Sequence, residues 1–191
     1  MELSVALYEA LLVLVASGRL AELARSRRNQ RRLAEAGAVK TLDPGYKWMV
    51  AFHAGVLVSC GVETVVAQRP WIPALGVPMF GVFLAANLAR WWVIHTLGTR
   101  WNVEIMSPCR YGVITTAGPY RWVRHPNYTA VFAEMIALPL IHTAWITAAA
   151  ATLLHVLVLR HRVNLEEAVL QQDPAWRAAF AARPRFLPRW S

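Results

Sequence analysis

The sequence has 191 residues, of which 57% are hydrophobic and 16% are charged, and its mean hydropathy is +0.35. This composition is too apolar for an ordinary soluble domain and indicates a single-domain integral membrane protein over residues 1–191. The net charge of +9 raises the question of nucleic-acid binding, but membrane proteins place such arginines at the cytoplasmic face, so we expect no nucleic-acid partner.

Three apolar segments of bilayer length occupy the first half of the chain: 3–20, 48–66 and 72–97. A helix needs about 20 mainly apolar residues to cross the hydrocarbon, so each predicts a transmembrane helix. Glu2 stands where a signal peptide carries positive charge, so we expect the first helix to be retained. The third segment contains Pro73 and Pro78, and we expect its helix to begin near Pro78.

A basic linker, SRRNQRRLAEAGAVKTLDPGYK at 26–47, follows the first segment. Its pattern predicts a separate amphipathic helix that ends near Gly37 and lies along the lipid headgroups. The simplest function for such a helix is to anchor the protein to anionic lipid.

The last apolar tract covers 128–159 and contains Pro139 near its middle. It is too long for one span and short for two spans with an ordinary loop, so it predicts a tight helical hairpin that turns at 142–145. The fold class is therefore all-α, with about five transmembrane helices. Lys and Arg concentrate in the linker, in the loop before the hairpin and in the tail, which places these three in the cytoplasm and the N-terminus outside.

The loop before the hairpin ends in RHPNY, residues 124–128, which we call the RHPNY segment. Pro126 suits the first turn of a helix and Asn127 can cap it, so the fourth helix is expected to start here with unpaired backbone N–H groups. Such a helix start binds carboxylate or phosphate, and Arg124 and His125 would add donors.

Aromatic residues near the RHPNY segment offer faces for an adenine or a sulfonium: Tyr120, Trp122 and Tyr128. The alternative is that they form an interfacial aromatic belt, with Arg121 and Arg124 as charges that set topology. Both interpretations fit the sequence.

The last helix leaves the apolar tract at LRHRVNLEEAVL, residues 159–170, and we call residues 165–167 the LEE segment. Arg162 and Glu166 are four residues apart and share one helical face, while Glu167 lies on an adjacent face. An isolated surface ion pair is the default interpretation. Because the two ends of a hairpin return to one membrane face, however, we expect the RHPNY and LEE segments to be neighbours.

Ionisable residues inside the apolar tract are costly unless they contact protein or water. Glu134 is expected to line a cavity and contact substrate, whereas His142 and His155 are expected to be structural. Cys60 and Cys109 have no CxxC or Cys/His spacing around them, which indicates neither a disulfide framework nor a metal site.

The blocks GPYRWVRHPNY and RVNLEE, in this order and spacing, resemble the isoprenylcysteine carboxyl methyltransferase family, membrane enzymes that use S-adenosylmethionine. The similarity covers about residues 90–188. The first half, through SRRNQRRLAEAGAV and YKWMVAFHA, resembles a bacterial subgroup whose members commonly accompany type III polyketide synthases and methylate phenolic or pyrone lipids, which implies the bacterial inner membrane.

The resemblance implies a cofactor site without a Rossmann fold, and the chain has no GxGxxG after a predicted strand. It implies that S-adenosylmethionine contacts Gly112, Val113, Ile114, Thr115, Tyr120, His125, Pro126, Asn127 and Tyr128. It also implies that Arg162 and Glu166 form the catalytic pair at the substrate end. The family often has His at the position of Gly112.

The expected activity is O-methylation of a lipophilic small molecule or lipidated substrate at the cytoplasmic membrane face. Arg162 would orient a carboxylate acceptor, whereas Glu166 would act as the base for a phenol or enol. Two alternatives remain open. Membrane sterol and steroid reductases that use NADPH have a similar RHPNY-like block, and a non-catalytic membrane protein would use both segments as anchors.

Overall fold

The computed structural model describes residues 2–107 and 114–188, and the regular secondary structure in these ranges is helical. The helices are α1 (Glu2–Glu35), α2 (Tyr46–Val66), α3 (Pro73–Leu97), α4 (Pro126–Leu140), α5 (Trp145–Leu170) and α6 (Pro174–Phe180). Two short 3₁₀ helices, Gly98–Arg100 and Gly118–Arg121, lie between α3 and α4. The predicted all-α class is confirmed, since the described residues form no strand beyond one bridge between Lys40 and Met106.

Four of these helices are long and apolar enough to cross a membrane: α1, α2, α3 and α5. α4 has 15 residues and is roughly 22 Å long, which is less than the ~30 Å of hydrocarbon that a single helix must cross. The chain is thus a membrane protein with several apolar helices, and the count of five spans stays a prediction.

The prediction of a separate surface helix after the first span is wrong. α1 is one continuous helix of 34 residues, roughly 51 Å long, and it passes through the basic segment without a break. Its second half packs against the loop after α3, because Asn29 donates to the carbonyl of Trp101 over 2.6 Å and Ser26 accepts from the N–H of Val103 over 2.8 Å. The predicted end near Gly37 is confirmed, and Gly37 has φ of +88°.

α3 begins at Pro73, so the prediction that its helix starts near Pro78 is also wrong. Pro73 lies in the first turn, where its missing N–H would have had no partner. Pro78 lies one turn further on, and its missing N–H leaves only the carbonyl of Ala74 without its helical bond. Pro78 therefore weakens α3 locally without ending it.

The predicted hairpin is confirmed: α4 and α5 are antiparallel neighbours joined by residues 141–144. In the turn, the hydroxyl of Thr143 donates to the carbonyl of Pro70, and His142 contacts the hydroxyl of Ser4. The hairpin turn, the start of α1 and the α2–α3 connection therefore share one end of the bundle. The α1–α2 linker, the RHPNY segment and the tail lie at the other end, in the arrangement that the charge pattern predicts; which end is cytoplasmic stays a prediction.

The main apolar core lies between α1, α2, α3 and the hairpin, and includes Tyr8, Cys60, Phe83 and Leu138. The Tyr8 hydroxyl donates to the carbonyl of Leu138 over 2.9 Å, which fixes α1 against α4. Cys60 is a buried free thiol, while Cys109 lies outside the described residues.

Candidate active site

The RHPNY and LEE segments are in direct contact where α4 begins and α5 ends. The Tyr128 hydroxyl donates a short hydrogen bond to Glu166, and His125 Nε2 lies 3.0 Å from Glu167 Oε1. His125 and Glu167 are 4% and 2% exposed, so this contact is shielded from solvent. The hairpin thus brings together two segments that lie about 40 residues apart in the chain.

Glu167 is the centre of a charge cluster that sequence reasoning missed. Besides His125, its carboxylate accepts hydrogen bonds from Arg185 Nη2 over 2.7 Å and from Arg124 Nη1 over 3.4 Å. The sequence offered one indication of this role, which is that Glu167 directly follows Glu166. Successive side chains on a helix point about 100° apart, so Glu167 faces a different set of partners from Glu166. Arg185 belongs to the C-terminal tail, whose basic residues predicted only the side of the membrane on which it lies.

The C-terminal tail lies directly over the RHPNY segment. The backbone N–H groups of Arg124 and His125 donate to the carbonyls of Pro184 and Arg185, each over 2.9 Å, and Arg124 Nε donates to the carbonyl of Arg183 over 2.7 Å. Arg124, expected as a donor to a bound anion, therefore holds the tail instead.

Asn127 is not the cap of α4, which corrects the sequence prediction. His125 occupies the N-cap position without a capping side-chain bond, and Pro126 is the first helical residue, so Asn127 lies two residues beyond the cap position. Its Oδ1 is buried and has no hydrogen-bond partner among the described residues. This leaves an acceptor free beside His125.

A cavity of about 590 Å³ runs from this end of the bundle into the interior. The residues expected to contact the cofactor that line it are Ile114, Thr115, Tyr120, His125, Asn127 and Tyr128. Pro126 is buried behind them in the first turn of α4, while Gly112 and Val113 lie outside the described residues. Trp122 does not line the cavity; it is 46% exposed and packs against Trp92, so its proposed role as a stacking face is wrong.

Tyr120 is buried beside Phe180 of α6, and its backbone carbonyl accepts from Arg183 Nη1 over 2.6 Å. Burial raises the pKa of the Tyr120 hydroxyl well above its ordinary value. The hydroxyl is therefore protonated at any physiological pH and is available as a donor at the cavity wall.

Arg162 and Glu166 line the cavity, but they do not form the ion pair that their spacing predicts. Arg162 Nη1 donates to Asp43 Oδ2 over 2.5 Å and Nη2 donates to the carbonyl of Val103, while Glu166 accepts from Tyr128. Burial tends to raise the pKa of Asp43, but the hydrogen bonds from Arg162 and from the N–H of Gly45 outweigh it and hold that pKa below its usual range. The α1–α2 linker thus contributes a residue that sequence reasoning missed.

Glu134 lines the same cavity deeper in the bundle and is 3% exposed. Its Oε2 accepts from Arg19 Nη2 over 2.7 Å, whereas its Oε1 is buried without a partner. Arg19 also pairs with Glu22, which in turn binds Arg90 through both carboxylate oxygens. This network is neutral as a whole, so its charges stabilise one another in the interior and Glu134 keeps one free acceptor.

Much of the remaining wall between the long helices is apolar, and includes Phe83, Val93, Val131, Met135 and Leu138. One cavity therefore has a polar end, formed by the start of α4 and the end of α5, and a mainly apolar interior between the long helices. Among the described residues no group of three His, Cys, Asp or Glu side chains is placed to hold a metal ion.

A family model, a bacterial protein and a solved structure each match part of this chain. The family model described as "Isoprenylcysteine carboxyl methyltransferase (ICMT) family" matches residues 79–172, which include α4, α5 and most of α3. The "Uncharacterized protein YpbQ" of Bacillus subtilis (strain 168) is 28% identical over 155 residues, which are 81% of this chain and 90% of that protein.

Among solved structures, the fold matches the "eukaryotic intramembrane Ras methyltransferase ICMT (isoprenylcysteine carboxyl methyltransferase)", with a TM-score of 0.56 at 21% identity. The match covers 72% of this chain and 50% of that one, so this chain spans about half the length of the solved protein. The structural match shows the fold, and neither it nor the family model favours a reductase. Residues 79–172 of this chain belong to the isoprenylcysteine carboxyl methyltransferase family.

Proposed function

We propose that this protein is an S-adenosylmethionine-dependent O-methyltransferase that methylates an oxygen of a lipophilic acceptor at the cytoplasmic membrane face. The observation that carries the proposal is the single cavity that joins the RHPNY and LEE segments to the apolar interior of the bundle. A water-soluble methyl donor and a lipid acceptor need such a shared space, with polar groups at one end and hydrocarbon contacts at the other.

The residues at the polar end fit S-adenosylmethionine. Thr115 Oγ1 and Asn127 Oδ1 are buried side-chain atoms that have no hydrogen-bond partners within residues 2–107 and 114–188, and both residues line the cavity. The cofactor carries a carboxylate, an ammonium, ribose hydroxyls and an adenine. These groups can accept a hydrogen bond from the Thr115 hydroxyl and donate one to the Asn127 amide oxygen. Tyr120, His125 and Tyr128 would hold it from the same wall, with Ile114 and Pro126 beside them. Gly112 and Val113 complete the proposed set. When bound, the cofactor supplies an electrophilic methyl group on a sulfonium.

The acceptor would lie with its chain against the apolar wall and its oxygen toward Arg162, Glu166 and Glu134. A protonated hydroxyl must lose its proton during transfer, and Glu166, held by the Tyr128 hydroxyl, is the proposed base. Glu134 Oε1 would accept a hydrogen bond from the acceptor. Arg162 would orient a carboxylate acceptor, although Asp43 already neutralises much of its charge.

The residues of this chain otherwise act by positioning and by excluding water. The contacts of Glu167 with His125, Arg124 and Arg185 hold the RHPNY segment and the tail together over the polar end. A closed, fixed site brings the reacting atoms into line and protects the transfer from water, and this is the main protein contribution to methyl transfer.

The proposal is tested by incubating the purified protein with radiolabelled S-adenosylmethionine and a lipid extract of the host, and identifying the methylated product by mass spectrometry. His125→Ala and Tyr128→Phe should weaken cofactor binding and reduce transfer, while Trp122→Phe, outside the cavity, should match the wild type. Binding of NADPH instead of S-adenosylmethionine would support a reductase, and binding of neither would support a non-catalytic protein; both results would contradict the proposal.

A further inference from the structure

Two histidines meet in the interior of the bundle, away from the proposed cofactor end. His53 of α2 and His155 of α5 both line the cavity, and their rings are 5.4 Å apart at an interplanar angle of 90°. His155 lies near the middle of its helix and is 3% exposed. This pair takes no part in the contacts described above for the RHPNY and LEE segments.

Neither ring nitrogen of His155 has a hydrogen-bond partner among the described residues. The rings of Phe52 and Phe132 lie 6.1 and 6.0 Å from the His155 ring, so its surroundings are otherwise apolar. A buried imidazole without a partner destabilises the protein relative to an apolar side chain of similar shape. Such a group at a cavity wall indicates that something polar occupies the adjoining space.

His53 supports the same conclusion from the opposite helix. Its Nδ1 lies 2.7 Å from the carbonyl of Met49 one turn earlier, so Nδ1 carries the proton and Nε2 remains an acceptor. The two rings together therefore offer a donor and acceptors to one small neutral group. A hydroxyl or carbonyl oxygen fits this set, whereas a hydrocarbon chain leaves it unsatisfied.

We infer that His53 and His155 form a subsite for a neutral oxygen atom in the chain of the lipid acceptor, set back from the oxygen that is methylated. This inference rests on the proposed function, because it assumes that the acceptor's chain lies in the cavity. His155 precedes Arg162 by seven residues and Glu166 by eleven, which places it roughly 10 to 16 Å along the helix from them. The acceptor is therefore a lipid with a second oxygen at about this distance, and a plain hydrocarbon tail is a poorer substrate.

The test uses synthetic long-chain phenols that differ only in a single keto group, moved carbon by carbon along the chain, together with the chain that lacks it. For the wild-type protein we expect KM to be about tenfold lower for the best position than for the plain chain, with kcat unchanged, as one neutral hydrogen bond predicts. His155→Leu should abolish this preference, and His155→Gln should restore part of it. Affinity for S-adenosylmethionine should be the same in all three proteins.

A second readout does not depend on turnover. Nitrogen NMR of the histidine rings in the labelled protein should show a shift of the His155 signal when the keto lipids are added one at a time without cofactor, largest for one position of the keto group, and no such shift with the plain chain. Equal KM values along the whole series, or an undiminished preference in His155→Leu, would overturn the subsite. A shift without methyl transfer to any acceptor would contradict the proposed function and leave the subsite standing.

Discussion

Neutralising Glu167 should loosen the tail over the proposed cofactor end. The Glu167 carboxylate is 3% exposed and receives His125 at 3.0 Å, Arg185 at 2.7 Å and Arg124 at 3.4 Å. In Glu167→Gln the shape and one acceptor oxygen remain, but the charge that balances the two arginines is lost. The perturbation therefore removes charge-assisted bonds without creating a large cavity.

The magnitude follows from these contacts. A hydrogen bond to a charged group contributes about 1.5 to 3 kcal/mol, and the 3.4 Å contact with Arg124 adds little at that distance. Arg185 is 48% exposed, so its share is reduced by solvent. We expect Glu167→Gln to destabilise the ordered site by about 2 kcal/mol, mostly through the buried His125 contact. Because S-adenosylmethionine would bind to the ordered site, this loss corresponds to roughly 30-fold weaker binding.

The assay is calorimetric titration of the protein in nanodiscs with S-adenosylmethionine, combined with hydrogen exchange over residues 181–188. Glu167→Gln should show weaker binding and faster exchange in the tail. Glu35→Gln, which removes one exposed carboxylate at the end of α1, is the matched control and should change neither. Unchanged affinity together with unchanged exchange in Glu167→Gln would refute the role assigned to this carboxylate.

Three further predictions use the same protein in detergent or nanodiscs. His155→Leu should raise the Tm in the absence of lipid acceptor, because it removes a buried imidazole without partners; a lower Tm would show that the ring is satisfied in the folded protein. Glu134→Gln should slow methyl transfer at least tenfold while S-adenosylmethionine binding is unchanged, and equal rates would exclude Glu134 from the acceptor site. The pKa of Asp43 is lower in the folded protein than its unfolded value of about 3.9. The ionised Asp43 therefore contributes its full stabilisation above pH about 3.9, and this contribution is lost as the pH falls through the folded pKa. As the pH is lowered through this range, the Tm should fall more steeply in the wild type than in Asp43→Asn.

Local pattern was sufficient for much of the fold. Apolar length predicted the long helices, and Pro126 with the tract that follows predicted where the hairpin begins and turns. The contact between Tyr128 and Glu166 followed from this hairpin, because antiparallel arms must return to one face. These features depend on periodicity and on residues near one another in the chain, which a sequence displays directly.

The choice of ionic partners required the packed bundle. Arg162 pairs with Asp43, and Arg90 pairs with Glu22, although 119 and 68 residues separate the members of these pairs. The helical spacing of Arg162 and Glu166 permits a local ion pair. A buried arginine, however, needs an acceptor for each of its donor groups, and the acceptors around Arg162 come from distant elements. For the same reason the continuity of α1 escaped the sequence: its basic half is held by the loop after α3, which no local pattern reveals.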